Sequence, residues 1–155
     1  MPAPEDVFLT HREPVWRDRS NFIIMAALPG AGRFEQLWAR QEGADLFELC
    51  CIPFFVHNLA LGDVVRTDAD DEKAHVIKGV VRPSGRWTFR VWLGDSAEDR
   101  LSVETEMLAL GMLTEWSSPN LLAVDAETDA LAQRLADALA EGERMGRWVY
   151  ETGRL

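Results

Sequence analysis

A chain of 155 residues, 47% of them apolar and with a formal charge of −10, has the size of one domain, or of two small modules sharing a core. Split at Gly85, it has 9 basic against 13 acidic residues before that point and 7 against 13 after it, which argues against nucleic-acid partners and would attract a basic protein. The longest apolar run, residues 22–28, falls far short of the roughly 20 residues of a membrane span. The acidic start MPAPEDVF lacks the basic and apolar segments of a signal peptide, so the expected location is cytoplasmic, with no membrane partner.

Residues 1–18, carrying Pro2, Pro4 and Pro14, read as a loosely structured N-terminus. The aliphatic run NFIIMAAL (21–28) predicts a buried strand, followed by a turn at Pro29, Gly30 and Gly32. Strands over 34–41 and 46–52 flank Gly43-Ala44-Asp45 as a hairpin, and strands over 62–67 and 74–81 flank the acidic tip Asp68-Ala69-Asp70-Asp71-Glu72. That tip lacks the spacing of a calcium-binding loop and reads as a solvated turn. Residues 19–83 are therefore expected to form a small β-barrel-like subdomain.

From residue 84 the pattern changes. WTFRVWL (87–93) alternates as a strand, then a helix is expected from an N-cap at Ser96 to a stop at Gly111, with Leu101, Thr105, Leu108 and Met112 on its inner face. Strands at 113–116 and 121–126 are joined by Ser117-Ser118-Pro119-Asn120. A second helix runs from about Thr128 to Glu141 with Leu131, Leu135, Ala138 and Leu139 inward, and 147–151 closes as a strand. This order predicts an α+β fold in which residues 84–155 form a ferredoxin-like βαββαβ half, packed with the N-terminal part as one compact unit.

Cys50 and Cys51 lie within FELCCIPFFVHNLALGDVV (47–65). Strand alternation sends their side chains to opposite faces, so they cannot chelate one metal together, and no second cysteine pair completes a zinc site. Two readings stand: packing as small hydrophobes, which is favoured, or a nucleophile with His57 as base and Asp63 as orienter. In the same stretch, Pro53 ends the strand, Phe54 and Phe55 bury apolar surface, and Gly62-Asp63 reverses the chain. The segment reads as a plug closing one end of the barrel, with His57 and Asn58 at its rim.

EQLWARQ, FELCCIPFFVHNLALGDVV, the Ser-Gly-Arg-Trp-Thr-Phe-Arg-Val stretch and the late GRWVYETG resemble a bacterial family catalogued as domain of unknown function 4265, over residues 34–153. The Pro-Phe-Phe-Val and Gly-Asp-Val-Val pair is the most specific part. The resemblance implies a small stand-alone domain and carries over no functional residue.

Six tryptophans, several beside arginine, suggest a recognition surface. On strand 87–93, Thr88, Arg90 and Trp92 face away from Trp87, Phe89, Val91 and Leu93, and Trp116 from the adjoining strand is expected to join them. This face either binds a partner or packs on the N-terminal part. Phosphate-loop, dinucleotide, nucleophile-elbow and HExxH templates are absent, and the three histidines are scattered, so no cofactor, metal or catalytic residue is assigned. The expected function is a non-catalytic binding protein that recognises another protein, for example as an immunity or regulatory protein. The alternatives are a small-ligand sensor and a cysteine-dependent hydrolase.

Overall fold

Alternating strands supply most of the regular secondary structure. The computed structural model describes residues 5–71, 73 and 75–154. Glu72 of the acidic tip, Ala74 at the start of a predicted strand, and Met1–Pro4 of the expected loose N-terminus lie outside those residues. The strands are β1 (Val7–Leu9), β2 (Phe22–Ala27), β3 (Arg33–Gly43), β4 (Leu46–Leu49), β5 (Val64–Thr67), β6 (Ile77–Arg82), β7 (Trp87–Trp92), β8 (Leu113–Ser118), β9 (Leu121–Ala126) and β10 (Val149–Thr152). Helix α1 (Arg100–Ala109) lies between β7 and β8, and α2 (Asp129–Arg144) between β9 and β10. The fold is mixed α and β, mostly sheet with two helices.

The first sheet runs β1-β3-β4-β5-β6, with β2 on the other edge of the long β3. Its period-two pattern buries Leu37 and Ala39 of β3, Phe47 and Leu49 of β4, and Val65 of β5 in one cluster with Ile24 and Cys51. The sheet curls until β2 meets the approach to β6 through a single Met25–Val76 bridge. No ladder continues from that bridge among the described residues, so the expected barrel is an open, strongly curled sheet. Residues 5–18 also depart from expectation. β1 pairs in parallel with β3 and His11 is buried, because β3 offers a free edge to the chain start.

The second sheet runs β10-β7-β9-β8, all neighbours antiparallel. Both helices cover one face, packing Val103, Met107, Leu135 and Leu139 onto Phe89, Val91, Leu122 and Val124. Asp99, not Ser96, caps α1 by accepting from the Ser102 N–H, and Thr128 caps α2. The inner face of α1 differs from expectation, since Leu101 and Leu108 are 68% and 51% exposed while Val103 and Met107 are sealed.

Ile52, Phe54 and Leu61 of the plug pack on Ala123, on the sheet face opposite the helices. Full burial of Phe54 is worth about 2–3 kcal/mol. Gly62, at φ 81°, makes the sharp reversal, and the Asp63 carboxylate fastens it by accepting from the Ala60 and Ser84 N–H groups at 3.0 and 2.8 Å. The plug therefore joins the two sheets.

Candidate functional site

Glu35 falls in the apolar phase of β3, in register with Leu37 and Ala39, and is fully buried. A bare carboxylate there would be very costly, so its partners decide the local fold. Its Oε1 accepts from the Phe55 and Val56 N–H groups, both at 2.9 Å, and its Oε2 from Phe54 N–H and His11 Nε2, both at 2.7 Å. Pro53 has no N–H to offer, and the three peptides after it wrap the anion as a nest. Glu115 of β8 reaches the same point from the second sheet. It accepts from His11 Nδ1 at 2.9 Å, Ile52 N–H at 2.5 Å and Val15 N–H at 3.4 Å.

His11 thus holds a proton on each ring nitrogen, between two carboxylates, stacked on Phe54 at 3.8 Å. Burial opposes the charged ring, but the Cys51 sulfur against it and the bonds to Glu115 and Glu35 outweigh burial and raise its pKa from 6.5 to about 12. Burial likewise pushes Glu35 up, yet His11 and the peptide N–H groups more than reverse this and hold its pKa below the ordinary value. Cysteine, imidazole and carboxylate together have the parts of a nucleophilic centre. The Cys51 thiol, however, is fully buried, donates to Trp38 O at 3.8 Å, and is pushed up in pKa by burial.

The Cys-His-Asp constellation, the alternative to packing in the sequence reading, is not assembled. Cys50 is buried, its pKa pushed up to about 12 chiefly by that burial, and its sulfur donates to Glu48 O. His57 lies on the far side of the plug, with Nε2 3.7 Å from Glu151 Oε1, and Asp63 is occupied by the turn. Sequence reasoning missed His11, which sits in a stretch without periodicity. Glu35 and Glu115 did carry a signal, a carboxylate in the inward phase of an alternating strand.

On the opposite side of the same plug is a groove of about 390 Å³. Phe54, Phe55 and His57 form one wall, and Arg90, Trp92 and Leu121 with Val149, Tyr150 and Glu151 form the other. Strand pairing sets Trp92 between Leu121 and Val149 in one row, and Arg90 directly opposite Glu151. Trp92 and Val149 are about half exposed, whereas Arg90 is only 4% exposed. The Arg90 guanidinium donates to Val56 O and lies 3.3 Å from Glu151 Oε1. Arg90, Trp92 and His57 therefore meet in one place.

Two expected members are elsewhere. Trp116 pairs with Leu122, so it faces the helix side, where Arg100 covers its ring at 4.5 Å. Asn58 adopts φ 64°, donates to Gly153 O at 2.6 Å and lines a second cavity of about 290 Å³ with Arg86. Arg86 is bonded at 2.6 Å to Asp125, whose carboxyl burial pushes to about 6 despite that partner. The sheet face opposite the helices is largely covered by the plug, and the row around Trp92 is its open end. Among the described residues, no group of three or more His, Cys, Asp and Glu is arranged to hold a metal, and no helix is long and apolar enough to cross a membrane.

The chain is similar in fold to a hypothetical protein from Neisseria gonorrhoeae known from a crystal structure. The TM-score is 0.67 at 20% identity, covering 83% of this chain and 91% of that one. No curated protein matches the chain. The family described as "Domain of unknown function (DUF4265)" matches residues 35–150, a span that contains the plug, Glu115 and every groove residue except Glu151; the chain belongs to this family.

Proposed function

We propose that the protein is a non-catalytic binding protein that recognises another protein through the groove at Arg90, Trp92 and His57. The observation that carries this reading is the half-exposed Trp92, set in a row with Leu121 and Val149 beside a buried arginine. Exposed tryptophan next to arginine is the composition of interface hot spots, because both combine large contact area with a polar handle. The charge of −10 adds a long-range preference for a basic partner, as an immunity or regulatory protein would have for its target. The sealed cysteines support a role without covalent chemistry. We read the C-terminal half as ferredoxin-like on the strength of its sheet order, and the groove as a recognition site built on that scaffold.

The test is capture of partners from the native host with the wild-type protein, followed by binding measurements with the purified partner. Trp92→Ala is expected to weaken binding by at least about tenfold, the scale of one hot-spot residue. Equal affinity for both proteins would reject the groove as the recognition surface. The groove's volume of about 390 Å³ also falls within the range of small-molecule sites, which favours a ligand sensor as the second reading. A metabolite that raises the melting temperature of wild type but not of Trp92→Ala would select it.

A further inference from the structure

Arg90 carries a charge that its surroundings answer incompletely. A guanidinium has five N–H donors in a rigid fork, and a buried one is stable when they are bonded. One terminal nitrogen of Arg90 donates to Val56 O, and the other reaches Glu151 Oε1 at 3.3 Å. Among the described residues, the buried Nε has no hydrogen-bond partner. His57 approaches the same Glu151 oxygen at 3.7 Å. A single carboxylate oxygen on a side chain 55% exposed is thus shared, at long range, between two donors.

We propose that the groove receives a carboxylate of the partner chain, an Asp or Glu side chain next to an aromatic or aliphatic one, at Arg90 and His57, in place of Glu151. This rests on the groove being the recognition surface. Arginine binds carboxylates through two parallel N–H···O bonds, which Glu151 does not supply in its present position. Glu151 stands directly across from Arg90 at the sheet edge and is half in water, so it can withdraw to solvent at little cost. Phe55, Trp92 and Tyr150 in the walls lower the local dielectric and would hold the apolar neighbour. The overall negative charge steers the whole partner, whereas this buried cation selects the residue that docks.

The experiment titrates the full-length protein with an acetylated, amidated hexapeptide centred on Phe-Glu and with its Phe-Gln counterpart, alongside 3-phenylpropionate and its amide. The acidic peptide is expected to bind at least tenfold more tightly than the Gln peptide. Glu151→Gln, which removes the resident carboxylate and its repulsion, should tighten the acidic peptide by roughly tenfold and leave the Gln peptide unchanged. Equal affinity for the two peptides, no binding by either, or an acidic peptide unaffected or weakened by Glu151→Gln would overturn the proposal. Binding of 3-phenylpropionate without either peptide would overturn it in favour of a free small acid. If Trp92→Ala weakens binding of the host partner at least tenfold while the two peptides bind alike, the carboxylate alone is rejected and the groove keeps its role.

Discussion

The Pro-Phe-Phe-Val segment separates two cationic centres that are built in opposite ways. On one side its N–H groups, with His11, surround Glu35, while Glu115 closes the ring from the second sheet. On the other side the carbonyl of Val56 accepts from Arg90, which also makes one long pair with Glu151 and whose Nε has no hydrogen-bond partner among the described residues. Phe54 belongs to both, stacking on His11 and lining the groove. The difference separates structure from site. A saturated, buried network holds the two sheets together and has nothing left to offer a ligand, whereas a buried cation with spare donors at an opening does.

Removing a member of the saturated centre should have the largest effect. Glu35→Gln turns an acceptor facing four donors into an amide that presents N–H to N–H, and His11→Ala leaves two buried carboxylates without the imidazolium between them. Each is expected to lower the unfolding free energy by about 3–5 kcal/mol in urea titrations. Glu151→Gln, at the groove, should cost less than about 1 kcal/mol. Comparable losses at both centres would erase the distinction.

An intermediate effect is expected from pH. His11 holds its proton more tightly folded than unfolded, so its contribution is complete below about 6.5 and is lost as pH climbs toward 12. The buried thiols act in the same sense, because the unfolded chain ionises them first. In acid, Glu35 loses its contribution as pH falls below 4.5, while Asp125, raised to about 6, favours the folded state as pH drops from there toward 3.8. The melting temperature should therefore fall steadily from pH 7 to pH 10, and more shallowly in His11→Gln, as followed by circular dichroism. Parallel slopes would show that His11 is not held as an imidazolium.

The alternating strands, both hairpins and the Gly62-Asp63 reversal were legible because a period of two and a turn residue are local signals. The plug was legible as well, but not its cause: peptide N–H groups around Glu35 leave no trace in side-chain pattern. Helix α1 misled because Leu101 and Leu108 form one stripe while Val103, Met107 and Leu110 form another, and only packing on the sheet decides between them. Trp116 was misassigned for a similar reason, since its face depends on pairing with Leu122 across β9. His11 lies in a proline-containing stretch and is held by side chains more than twenty residues away in sequence.

The smallest effect on stability should come from the groove's own aromatic rim, and this bears most directly on function. Trp92 is 46% exposed, against 2% for Phe54. Trp92→Ala should cost about 1 kcal/mol or less in unfolding free energy, whereas Phe54→Ala removes core packing and the ring under His11 and should cost about 3–5 kcal/mol. A side chain this large, left half in water and cheap to remove, contributes little to the fold that holds it, so its contribution has to be sought in binding. If Trp92→Ala proved as damaging as Phe54→Ala, Trp92 would belong to the core, and the groove would join the saturated centre as architecture.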